Sequence, residues 1–192
     1  MNSIARSALA AVAVGTALLL AACGGGSDSG SSSAATGADF DRAFIDAMVP
    51  HHESAIVMAQ EAMDSGLSQP DLLKVADDIL VTQQAEIDQM KDWRAEWFGS
   101  SDIDPDGATA LGMSESDMGM QHGAGAMKQS TDINTDFAQM MIDHHEGAIE
   151  MATLAADRAE HDEIKDLADA IISAQEREID VLRPHASGMH HG

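Results

Sequence analysis

Two histidine pairs stand out for their neighbours. His51-His52 and His144-His145 are each followed by a glutamate and each preceded by a methionine, Met48 and Met141. A second methionine follows each pair, Met58 and Met151. Imidazole nitrogen and thioether sulfur together suit a soft transition-metal ion, copper before calcium or magnesium. On a helix, at about 100° per residue, His51 falls on one flank of the apolar face and His52 on the other. Both rings can therefore look inward. Met48 lies one turn before the pair and Met58 two turns beyond His51, so one helix could grip an ion from a single side. Met141 with His144 or His145 repeats the arrangement.

These residues sit in a chain that repeats itself. Phe44 to Ala59 reads FIDAMVPHHESAIVMA, and Phe137 to Ala152 reads FAQMMIDHHEGAIEMA. The segments that follow match as well: Ile79, Gln83, Glu86 and Ile87 correspond to Ile171, Gln175, Glu178 and Ile179. The unit is a helical hairpin present twice, and two packed hairpins make an all-α four-helix bundle. The first helix is predicted from Asp39 or Asp41, as its cap, to about Asp64. The second runs from Ser68-Pro70 to Phe98, the third from a cap at Asn134 or Thr135 to about Arg158, and the fourth from Asp162 to Arg183. Each shows an apolar stripe of alternating three- and four-residue steps, such as Phe44, Met48, His51, Ala55, Met58 and Ala62.

Each stripe is interrupted near mid-helix: by His51, by Gln83 with Glu86, by His144, and by Gln175 with Glu178. A polar group in a dry core costs a few kcal/mol unless it is satisfied. One shared layer satisfies all four interruptions at once. A network of His–Glu hydrogen bonds with methionine as packing would meet the same need. The double occurrence of His-His, upstream Met and facing Glu favours a metal layer of Met48, His51, His52, Met58, Glu86, Met141, His144, His145, Met151 and Glu178. Glu53 and Glu146 point away from the stripe. Pro50, where the second repeat has Asp143, is expected to kink its helix and could expose His51 and His52 to an incoming ion.

Outside the helices, the segment 100–133 is rich in Gly, Asp and Ser and contains Met113, Met118, Met120, His122 and Met127. The tail 186–192 is His-rich, with Met189, His190 and His191, and His185 just before it. Both read as loose tracts with metal-binding composition.

The N-terminus reads as a targeting signal over residues 1–22: Arg6, an apolar run from Ala8 to Leu20, then Ala21-Ala22 before Cys23. It resembles a bacterial lipobox, in which Cys23 would be lipidated and would anchor the chain to the outer face of a membrane. Residues 23–38 form a Gly/Ser-rich tether, leaving the bundle at 39–185. Cys23 is the only cysteine, so no internal disulfide is possible. A net charge of −23 disfavours nucleic acid as a partner and concentrates cations near the surface.

The two HHExAIxMA-like runs, each preceded by Phe and Met, resemble the domain of unknown function 305 family, over Phe40 to about Arg183. The resemblance implies a ferritin-like four-helix bundle and metal-facing roles for Met48, His51, His52, Met141, His144 and His145. Several bacterial members are periplasmic or secreted proteins linked to copper. The expected function is thus extracytoplasmic copper capture, for tolerance or delivery, with Cu(I) or Cu(II) as the bound ion. A ferritin-like dimetal oxidase is the enzymatic alternative. Its Glu-x-x-His motif is missing, since Gln89 follows Glu86 and Val181 follows Glu178 at the required spacing. No nucleophile–base set suggests hydrolysis, so a binding protein is expected rather than an enzyme. A structural or partner-docking bundle is the third possibility.

Overall fold

The computed structural model describes residues 37–121 and 125–186. The signal segment, Cys23, the tether to residue 36, His122, Met189, His190 and His191 lie outside them. The described residues form helices and turns with no strand: α1 (Ala38–Ser65), α2 (Pro70–Phe98), a short α3 (Gly107–Leu111), a 3-10 turn at Met127–Gln129, α4 (Ile133–Arg158) and α5 (Asp162–Leu182). The four long helices are those of the repeated hairpins.

Local sequence sets the ends. Pro70 opens α2 at a position whose amide needs no intrahelical partner. The side-chain oxygen of Asn134, at the start of α4, accepts from the amides of Ser68 and Gln69 at 3.0 and 3.2 Å, tying the two hairpins together. α4 is capped by Asp132, which accepts from the Thr135 amide, rather than by Asn134 or Thr135. At α1 the expected aspartate cap does not form; Gly37 takes the cap position. Asp41 is instead fully buried. Its carboxylate accepts from the amides of Glu160 and His161, each at 2.9 Å, and from the His161 ring at 2.6 Å. A buried carboxylate is tolerable because charge-assisted donors replace its water. The His161 ring stacks on Trp97 at 3.8 Å, so one aspartate fixes α1, α2 and the α4–α5 turn.

Helices α1 and α4 run antiparallel, and the core divides accordingly. Phe44, Met48 and Val49 of α1 pack with Ala148, Met151 and Ala155 of α4 in one cluster. Ala55, Met58 and Ala62 pack with Phe137, Ala138 and Met141 in the other. The histidine pairs lie between the clusters, and a pseudo-twofold relation exchanges the hairpins. A bidentate ion pair reinforces the first hairpin: Arg94 Nε and Nη2 donate to Asp46 at 2.9 and 3.3 Å, while Arg94 Nη1 donates to the Ser100 carbonyl.

The segment after α2 departs from expectation. Met113, Met118 and Met127 are buried and Met120 is half-buried, so these methionines fill space instead of sampling solvent. The reason lies in the small residues beneath them. At Gly147 of α4, an added Cβ would sit 2.2 Å from the carbonyl carbon and oxygen of Met118. Gly119, at φ +66°, lies equally close to the Asp143 backbone. The chain at Met118-Gly119 is a strap pressed onto α4. Pro50 sits inside a continuous α1, and His51 and His52 are fully buried, so the proline does not open the pair to solvent.

Candidate metal centre

All four histidines are buried in the layer between the two clusters. The rings of His51 and His144 face each other across the pseudo-twofold axis, with centroids 3.7 Å apart and planes inclined by 37°. His52 and His145 flank them at 6.2 and 6.4 Å from their sequence neighbours.

Each ring uses Nε2 for a hydrogen bond. His52 Nε2 lies 2.8 Å from Glu86 Oε2, and His145 Nε2 lies 2.7 Å from Glu178 Oε2. His51 Nε2 lies 2.9 Å from the Met118 carbonyl oxygen, and His144 Nε2 lies 2.7 Å from Ser54 Oγ. Carboxylates and carbonyls only accept. The rings of His51, His52 and His145 must therefore carry a proton on Nε2, and for His51, held neutral by burial, that leaves a lone pair on Nδ1. A hydroxyl can donate or accept, so Ser54 leaves both tautomers open to His144.

All four Nδ1 atoms are buried and have no hydrogen-bond partner, and the side-chain oxygens of Gln83 and Gln175 share that condition. Four of these six atoms are imidazole nitrogens lying together between the clusters, and each such group calls for an explanation. Imidazoles that donate from one nitrogen to a carboxylate or carbonyl while the other nitrogen stays free match the preparation of metal-ligating histidines. The layer fits a nitrogen-binding ion in that specific sense.

Burial also sets the protonation state. Desolvation, followed by the neighbouring His52, pushes the His51 pKa down to about 3, against an opposing contribution from the Met118 carbonyl. His144 is held well below its usual value, first by burial and then by His51. Both rings stay neutral and able to ligate at physiological pH.

Of the ten residues expected in the layer, the structure brings the four histidines together with Glu86 and Glu178. The two carboxylates lie outside the rings, with side chains 20% and 17% exposed. Met48 and Met151 lie in the cluster on one side, Met58 and Met141 in the cluster on the other. Among the described residues, no three His, Cys, Asp or Glu side chains form a group placed to hold a metal ion. The methionine thioethers stand outside that count. His185 is engaged elsewhere, on Asp71 at 2.7 Å.

Two contributors were not anticipated, Ser54 and the Met118 carbonyl. A signal for both was present. Ser54 and Gly147 hold matching places directly after the two His-His-Glu runs, and they differ. Ser54 serves His144 with a hydroxyl; Gly147, lacking a side chain, leaves room for the strap whose carbonyl serves His51.

An antiparallel, duplicated helical bundle with a buried imidazole layer is the class that fold and site define. The family described as Domain of unknown function (DUF305) matches residues 26–94 and 65–186, and the chain belongs to it. Among solved structures it is similar to CopM in its Cu(I)-bound form, with 29% identity over 78% of this chain and 97% of that one, and a TM-score of 0.64. The Cu(II)-bound form of CopM gives 30% identity, coverages of 78% and 98%, and a TM-score of 0.63. A DUF305 protein from Streptomyces coelicolor gives 27% identity, coverages of 76% and 91%, and a TM-score of 0.66. Comparison with the curated proteins gives no match. No helix among the described residues is long and apolar enough to cross a membrane.

Proposed function

We propose that the chain captures copper, Cu(I) foremost, in the layer between the two core clusters. The observation that supports this most directly is the set of four buried, unpartnered Nδ1 atoms. In this reading His51, His52, His144 and His145 supply nitrogen. Met48 and Met151 on one side, with Met58 and Met141 on the other, supply sulfur. Soft thioether and imidazole donors select Cu(I). Glu86 and Glu178 orient His52 and His145 and place two acidic groups against the added positive charge. Similarity to CopM, solved with Cu(I), Cu(II) and Ag bound, supports the choice of metal.

The neutrality of His51 and His144 means that ligation there displaces no proton at pH 7. The protein would act outside the cytoplasm, held to the membrane by lipid on Cys23, for copper tolerance or delivery. Titration with Cu(I) and Ag(I), beside a variant with all four histidines changed to Gln, tests the site. Tight binding lost in a folded variant is the expected result. Binding retained in that variant would remove the layer as the site.

A further inference from the structure

The repeats differ where the pseudo-twofold relation would place two equivalent hydroxyls. Ser54 of α1 reaches across to His144 Nε2 at 2.7 Å. The corresponding residue on α4 is Gly147, so His51 has no hydroxyl opposite its Nε2. The space is taken by the strap, whose Met118 carbonyl lies 2.9 Å from His51 Nε2. The fit requires glycine: a Cβ at 147 would lie 2.2 Å from the Met118 carbonyl group, and one at Gly119 would lie 2.1 Å from the Asp143 carbonyl oxygen. The strap is held from its own side too. Asp117 accepts from the Ser114 amide and hydroxyl at 2.8 and 2.7 Å, and the Met118 and Met120 amides close turns onto the Ser114 and Glu115 carbonyls.

We propose that Met118 is a positioning residue of the copper layer: its main-chain carbonyl fixes His51 with Nε2 protonated and Nδ1 turned inward as a ligand, and Gly147 exists to admit it. The inference rests on the copper reading above and adds an element no helix supplies. It also makes the halves chemically unequal. A carbonyl dictates the His51 tautomer, whereas the Ser54 hydroxyl tolerates either tautomer of His144. Partners of this kind are worth about 10- to 100-fold in metal affinity.

Two substitutions at one position separate positioning from packing. Gly147→Ala and Gly147→Ser displace the strap through the same Cβ, but only serine returns a hydroxyl where the pseudo-symmetric Ser54 makes its bond. Affinity for Ag(I) and Cu(I), measured by competition with a chromophoric chelator, is expected to fall about 10- to 100-fold in Gly147→Ala and to recover most of that loss in Gly147→Ser. Equal losses in both variants, or none in either, would overturn the proposal.

A second measurement needs no variant. Imidazole nitrogen shifts in the metal-free wild-type protein are expected to show His51 protonated on Nε2 alone; protonation on Nδ1 would overturn the proposal even if both variants unfold. Failure of the copper reading looks different. There the wild type binds neither ion, while the His51 tautomer is still as expected.

Discussion

The neutrality of the buried imidazoles gives the metal-free protein an acid weakness that can be sized. His51 titrates at about 3 in the folded state against 6.5 when unfolded. The folded pKa is the lower one, so the unfolded chain takes up the proton first. Stability is therefore complete above about pH 6.5 and is lost as pH falls toward 3. Between those limits each such histidine removes about 1.4 kcal/mol per pH unit. His144 is shifted the same way by the same burial and adds to the loss. Two units of acidification then cost about 2 to 3 kcal/mol through His51 alone, a large share of a marginal domain's stability.

The assay is urea unfolding followed by far-UV circular dichroism at about pH 7, 6, 5 and 4.5, for the wild type and for His51→Gln/His144→Gln. Glutamine keeps an amide donor for the Met118 carbonyl but does not titrate. Subtracting the two curves cancels the carboxylates and the relief of surface repulsion. The difference is expected to tilt against the wild type by at least about 1.4 kcal/mol per unit below pH 6.5. Parallel curves would refute the reasoning, because they would mean that the rings gain protons in the folded state as readily as in the unfolded one.

Further outcomes follow from particular contacts. Arg94→Met removes both hydrogen bonds to buried Asp46 and leaves it only the longer ion pair with Arg42 at 3.6 Å; a fall in unfolding free energy of about 3 kcal/mol is expected in the same urea assay. Asp41→Ala strands two backbone amides and the His161 ring; a loss of about 3 kcal/mol is expected, with a change in tryptophan emission as His161 leaves Trp97. Ag(I) at about 100 times its dissociation constant should add about 2.7 kcal/mol to stability, and none to the four-histidine variant. Cys23→Ala is expected to move the protein from the membrane fraction to the soluble extracytoplasmic one, as read by fractionation and blotting.

Much of this architecture was legible because it follows from periodicity. A stripe at three- and four-residue spacing must be buried, and a polar residue inside that stripe must be answered by a partner on another helix. Glu86 answers His52 and Glu178 answers His145 in this way, while the side-chain oxygens of Gln83 and Gln175 stay without a partner. The antiparallel pairing of α1 with α4 was not legible. It is what places Met48 in one cluster with Met151, and Met58 in the other with Met141.

The burial of Met113, Met118 and Met127 is not legible in their own segment, because it is decided from outside it. Nothing periodic in Ser114 to Met120 demands burial, and glycine there signals a loose chain as readily as a tight approach. The burial of Met118 is decided by the missing side chain of Gly147 on another element. A duplicated sequence offers a way to see such places. Where two copies agree, each position answers the shared fold. Where one copy keeps Ser54 and the other drops to Gly147 next to matched His-His-Glu runs, the difference marks a site served by something outside the repeat. Here that is a main-chain carbonyl, which no side-chain pattern can announce.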